Sequence, residues 1–156
     1  MAKTLILGIG NTLLSDEGAG VRVVRILADE HTNHPEFEFL DGGTLSFTLA
    51  GPVGDAEHLI VVDTADLSAE PGTVRVFRDG AMDDFIGRGG KRSVHEVGLE
   101  DVLTIARLEG RLPARRALVG IQPQTLDWGE ELTPPVAAAV IAACDEVRQL
   151  LGQWRA

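Results

Sequence analysis

Thr4-Leu5-Ile6-Leu7-Gly8-Ile9-Gly10-Asn11 runs directly into Thr12-Leu13-Leu14-Ser15-Asp16-Glu17-Gly18-Ala19-Gly20, and the two halves of this stretch differ in character. Leu5 to Ile9 is an unbroken β-compatible apolar run, which reads as a strand buried on both faces. Gly8, Gly10 and Asn11 then mark a tight turn. Beyond it Val21, Val24, Leu27 and Ala28 recur at helical spacing, with Arg22, Arg25, Asp29 and Glu30 between them. The N-terminal unit is therefore a strand, a loop carrying two acids, and an amphipathic helix.

The same alternation continues outward. Phe37, Phe39 and Leu40 lead into Asp41-Gly42-Gly43 as a second strand with a Gly-rich exit, and Leu45 to Leu49 reads as a short helix before Gly51-Pro52. His58-Leu59-Ile60-Val61-Val62-Asp63 is another buried strand, ending on a carboxylate. Pro71-Gly72 is a turn signal ahead of the alternating Val74-Arg75-Val76-Phe77-Arg78. Residues 87 to 93, Gly-Arg-Gly-Gly-Lys-Arg-Ser, read as a mobile loop running into Val94-His95-Glu96. Leu99, Val102, Leu103 and Ala106 return to helical spacing, and Arg116 to Ile121 is a last strand. Thr133-Pro134 reads as a helix start with an N-cap hydroxyl, after which Val136, Val140, Ala143, Val147, Leu150 and Trp154 hold one face. Strands alternating with helices predict an α/β fold, a mostly parallel sheet covered on both sides. No repeat or linker divides residues 1–156, so one domain is expected.

Composition removes several function classes. The 14 basic and 24 acidic residues leave a net charge of −10, the wrong sign for a protein that gains affinity by neutralising phosphates. Nucleic acid and an anionic membrane surface are accordingly excluded as partners. With 44% apolar residues the chain can build a core without staples. The one cysteine, Cys144, permits no internal disulfide and no Cys-rich metal site. No signal peptide and no apolar run of the ~18 residues a bilayer requires is visible, so a cytoplasmic protein is expected.

The first turn invites a dinucleotide reading, because Gly8-Ile9-Gly10 follows a strand and precedes a helix, with Asp41 placed as a ribose acid would be. The reading fails in two places. The third fingerprint glycine would fall on Leu13, and Asp16 and Glu17 stand where a pyrophosphate needs bare backbone donors. Acids near a helix start also have an ordinary explanation in the helix dipole, worth about 0.3–1 kcal/mol. What makes Glu17 distinctive is a second acid, Asp63, at the carboxyl end of a different buried strand. If those two strands are neighbours, both acids face the crevice where open α/β sheets bind ligands.

Four histidines compete for a role. His31 and His34 lie in a polar post-helix segment, where solvated loop residues are the simpler reading, and His58 stands at the amino end of its strand. His95 follows the glycine loop and precedes a helix, which directs it to the functional edge. Imidazole with two carboxylates suits a divalent transition metal, making Glu17, Asp63 and His95 a candidate site. A G-x-S-x-G elbow and an H-E-x-x-H helix motif are both missing from the sequence.

Gly8 to Gly20, Asp41-Gly42-Gly43-Thr44, Asp63 closing its strand, His95 ahead of Gly98-Leu99, and Gly120-Ile121-Gln122-Pro123 with Leu132-Thr133-Pro134 occur in order over nearly the whole chain. Together they resemble the nickel-iron hydrogenase maturation proteases, in particular the members serving uptake hydrogenases. The resemblance implies a twisted, mostly parallel five-stranded sheet between helices. It also implies an endopeptidase, acting as a monomer, that trims a C-terminal extension from the hydrogenase large-subunit precursor once nickel is inserted. The family's metal-binding carboxylate, Asp and His map onto Glu17, Asp63 and His95, with nickel supplied by the precursor. The share of Asp16 in binding is left open by this comparison, and Asp41, Gly42 and Gly43 become candidate substrate-binding residues.

Overall fold

The computed structural model describes residues 3–43, 47–87 and 98–155. Its elements are β1 (Thr4–Ile9), α1 (Ala19–Glu30), β2 (Phe37–Gly43), α2 (Ala50–Asp55), β3 (His58–Thr64), β4 (Val74–Arg78), α3 (Gly80–Gly87), α4 (Leu99–Leu108), β5 (Arg115–Ile121) and α5 (Pro134–Arg155). The five strands form one sheet in the order β2-β1-β3-β5-β4. All neighbours are parallel except the edge strand β4, which runs antiparallel to β5.

The buried strands use both faces. Leu5, Leu7, Leu59, Val61 and Leu118 pack with Val53, Met82, Val102 and Leu103 beneath α2, α3 and α4. Ile6, Ile60, Val62, Ala117 and Val119 pack with Val23, Leu27, Val140, Ala143 and Val147 beneath α1 and α5. Alternate side chains thus point into two cores, which is why the strands read as continuous apolar runs. Cys144 is buried in the second core as a small apolar residue, and burial pushes its thiol up.

Two glycines let the layers meet closely at the carboxyl ends of β1 and β3. A Cβ on Gly20 would stand 2.3 Å from the Val62 carbonyl oxygen and 2.8 Å from that of Ile9. A Cβ on Gly8 would stand 2.7 Å from the Gly20 carbonyl oxygen. The start of α1 therefore lies backbone against backbone on both strands. Gly20, not position 13, plays the helix-packing role of a fingerprint glycine.

The helix starts differ from expectation in two places. Gly51-Pro52 does not end a helix. A 3-10 turn over Phe47–Leu49 leads into α2, and the pair lies in its first turn, where a proline's missing N–H costs nothing. Thr133 precedes α5 as expected, but the Val136 and Ala137 N–H groups donate to its backbone carbonyl, while its hydroxyl donates to Asp16, as described below. The missing donors of Pro134 and Pro135 already reduce what that helix end must satisfy. Helix α3 has no clear sequence signal, since only Met82 and Phe85 of its residues are buried. Among the described residues no helix is long and apolar enough to cross a membrane.

Candidate functional site

Strands β1 and β3 are adjacent, so the expected crevice exists at their carboxyl ends, where the chain turns outward to β2 on one side and β5 on the other. Between β1 and α1 the chain makes a 3-10 turn over Ser15–Gly18, and all four of its residues are buried. Gly10 allows it. Its φ is +143°, and a Cβ there would sit 1.8 Å from the Glu17 carbonyl oxygen. The turn thus backs onto the glycine that a dinucleotide fold would leave open to phosphate, which disposes of that reading.

Glu17 is 3% exposed and Asp63 6%, so the two acids are drawn from water by different elements into one place. The Thr64 hydroxyl, at the end of β3, donates to Glu17 Oε2 at 3.3 Å. Burial, and then the negative charge of Glu17, push the Asp63 carboxyl well above the ordinary 3.8, and a hydrogen bond from the Thr64 backbone only partly opposes them. Asp63 Oδ1 is buried with no hydrogen-bond partner among the described residues. Leaving such an atom unsatisfied costs about 1–3 kcal/mol. Directly across the ladder from Asp63 is Gly120, which contributes no side chain to the space beside it. Two carboxylates offer hard oxygen donors, and an imidazole would extend the set toward nickel or zinc. Among the described residues no group of three or more His, Cys, Asp and Glu side chains is placed to hold a metal, and Glu17 and Asp63 supply two of the donors such a site would need. His95 lies outside the described residues, as do residues 88–93 of the expected loop.

Asp16, adjacent to Glu17 in sequence, has a different task. It is fully buried. Its Oδ2 accepts from the backbone N–H of Gln124 at 2.8 Å and of Thr125 at 3.1 Å, and its Oδ1 accepts from the Thr133 N–H at 2.8 Å. The Thr133 hydroxyl donates to the same carboxylate. A carboxylate with this many donors has no lone pair left for a metal. Asp16 instead bolts the β5–α5 connection to the turn that carries Glu17. Ser15, strained at φ +52°, joins the clamp by donating its hydroxyl to the Asp127 carbonyl at 2.8 Å. Thr64 carries no motif that would have marked it in advance, and Thr133, marked as a helix start, gave no sign of its bond to Asp16, because the partners of both are remote in sequence.

The second candidate region lies beside the first. The Gly43 N–H donates to Asp41 Oδ1 at 2.9 Å, and Asp41 Oδ2 pairs with Arg25 at 3.3 Å. Gly10, Asn11, Thr12, Val21, Arg25, Asp41 and Gly43 line an open cleft of about 310 Å³. Gly42 belongs to the core rather than the cleft, since a Cβ there would meet Leu7 Cδ1 at 2.8 Å. Gly43, at φ +53° with open space where a side chain would be, is the one accessible to another chain. His31 and His34 are not set up as ligands. His34 stacks on Phe37 at 3.8 Å and His31 on Phe39 at 5.7 Å.

Comparison with known proteins agrees with this fold. Residues 21–150 match the family model described as hydrogenase maturation protease. The chain is 39% identical over 153 residues to the hydrogenase expression/formation protein HupD of Bradyrhizobium diazoefficiens, covering 97% of this chain and 79% of that one. It is 37% identical over 146 residues to the hydrogenase 2 maturation protease of Escherichia coli, covering 93% and 88% respectively. The solved structure of the hydrogenase maturating endopeptidase HybD from Escherichia coli superposes with a TM-score of 0.89 at 36% identity, over 97% of this chain and 93% of that one.

Proposed function

This chain belongs to the nickel-iron hydrogenase maturation proteases, and from that premise we propose that it removes the C-terminal extension of a large-subunit precursor after nickel insertion, using the nickel as its recognition element. On this reading it works as a cytoplasmic monomer and the metal arrives as part of the substrate. The observation that supports it is the buried Glu17 and Asp63 pair at the ends of two elements. Desolvating two acids side by side is expensive and contributes nothing to packing. A precursor-borne cation between them offsets that cost, whereas a precursor without nickel offers them nothing. Glu17, Asp63 and, from the family resemblance, His95 would hold it.

A bound divalent metal polarises a scissile carbonyl or acidifies a water. The chain's own contribution is proton handling. Asp63, which keeps its proton to higher pH than an exposed aspartate while no cation is present, would give that proton up as its carboxylate takes the cation. Beside it, Asp41 and the open Gly43 form a lip against which an extended substrate backbone can lie, while Gly42 supports that lip from the core.

Mass spectrometry of the precursor, incubated with this protein with and without nickel, tests the reading. The expected result is loss of a C-terminal peptide only from nickel-loaded precursor, and cleavage slowed at least about 100-fold in Glu17→Gln, Asp63→Asn and His95→Ala. The reading is wrong if all three variants still process precursor or if nickel-free precursor is cut equally well. Metal binding without a change in precursor mass would make the protein a nickel chaperone instead. Saturable binding of NAD or FMN that survives the three substitutions would make it a nucleotide module.

A further inference from the structure

Trp128 is 80% exposed, on a loop that is anything but loose. The loop is held to the segment before Glu17 by Ser15 N–H donating to the Gly129 carbonyl at 2.7 Å and Gly129 N–H donating to the Leu13 carbonyl at 2.9 Å. Asp16 N–H donates to the Thr125 carbonyl, and the Asp16 carboxylate holds the loop at Gln124, Thr125 and Thr133. Leu13 and Leu126 are exposed by 48% and 37%. An indole and two leucines are thus kept in water on a rail bonded to the turn that bears Glu17. A tryptophan held in place before contact is the kind of aromatic anchor that dominates protein interfaces.

Charge narrows what fits there. Asp127, Glu130 and Glu131 surround Trp128 and are exposed, and no ion pair engages them among the described residues. Arg22, whose guanidinium donates to the Glu130 backbone carbonyl, offsets one of these three charges and leaves the loop net negative. The loop presents exposed apolar side chains among acidic sequence neighbours, complementary to an apolar side chain flanked by lysine or arginine, whose cation can also lie on the indole face. A second copy of this chain is disfavoured, because a self-complementary contact would set these acids against one another on a protein of net charge −10.

We propose that Trp128, with Leu13 and Leu126, is the docking ridge for a basic, apolar segment of the hydrogenase precursor, separate from the peptide bond that is cut. This rests on the reading of the chain as the protease of that precursor. Because Asp16 fixes the loop beforehand, little ordering entropy is lost on contact. The ridge would thereby confer partner choice, while the carboxylates confer nickel sensing.

Trp128→Ala tests the apolar part and Glu130→Lys with Glu131→Lys the charged part, through steady-state cleavage of nickel-loaded precursor and direct binding of the same precursor to immobilised protease. Trp128→Ala should raise KM about ten-fold with kcat retained and Tm unchanged. The double variant should raise KM at low salt and flatten the rise of KM that added salt produces in the parent protein. Wild-type KM in both variants overturns the docking ridge and leaves the protease reading intact. Binding that depends on Trp128 without any cleavage by the parent protein overturns the protease reading and keeps the ridge. A dimer in sedimentation that Trp128→Ala converts to monomer overturns the precursor as occupant.

Discussion

Replacing Asp16 by alanine should be among the most damaging single changes in this protein, although the residue touches no substrate. The carboxylate satisfies three backbone donors, from Gln124, Thr125 and Thr133, plus the Thr133 hydroxyl, and it is fully buried. Hydrogen bonds to a charged acceptor are worth about 1.5–3 kcal/mol each, and a buried donor left without a partner costs about 1–3 kcal/mol. These terms overlap and water can reach part of the opened loop, so the expected loss is about 3–5 kcal/mol, the range for breaking a buried charged network. At about 2–4 °C per kcal/mol for a chain of this size, Tm should fall by roughly 6–20 °C. Asp16→Asn should not rescue it. Either orientation of the amide points its NH₂ at a backbone N–H, since Oδ1 and Oδ2 each accept from at least one. Urea unfolding gives the loss directly, and amide hydrogen exchange should show the Gln124, Thr125 and Thr133 protons unprotected in the alanine variant. A loss below about 0.5 kcal/mol, with those amides still protected, would refute the clamp.

Two more outcomes follow from the same geometry. The raised Asp63 proton affinity contributes stability that is fully present below the ordinary 3.8 and is lost as pH rises through the displaced value. Asp63→Asn should therefore be more stable than the parent protein at pH 7, with the difference closing as pH falls toward 4 in parallel urea titrations; equal stability at pH 7 would contradict the burial argument. Gly20→Ala, whose Cβ would meet two backbone carbonyl oxygens that cannot swing away, should cost at least about 1–3 kcal/mol by urea unfolding and slow precursor cleavage by shifting Glu17.

How far the sequence could be read depended on whether each residue's partner was near it. The runs 5–9, 58–63 and 116–121 were legible as strands because both of their faces are buried, so composition alone marks them. Gly51-Pro52 misled because the same dipeptide serves a turn and a helix start, and only tertiary packing of Val53 decides between them. Helix α3 was invisible, since its packing relies on Met82 and Phe85 beneath an edge strand rather than on a periodic stripe. At the site, Glu17 and Asp63 could be anticipated from strand ends and the adjacency of β1 and β3. The role of Asp16 could not, because its acceptors meet donors 108 to 117 residues away.

The neighbouring acids Asp16 and Glu17 show why residue type does not determine role. Both are carboxylates in one buried 3-10 turn, yet one is surrounded by N–H donors and the other lies against Thr64 and the charge of Asp63. Donors convert a buried negative charge into a structural bond, while a second acid raises its free energy and leaves the pair receptive to a cation or a proton. The clamp and the carboxylate pair are therefore coupled: rigidity supplied at Asp16 holds Glu17 close to Asp63 against their repulsion. On the proposed reading, a cation arriving with the precursor relieves that repulsion, and a precursor without one leaves it in place.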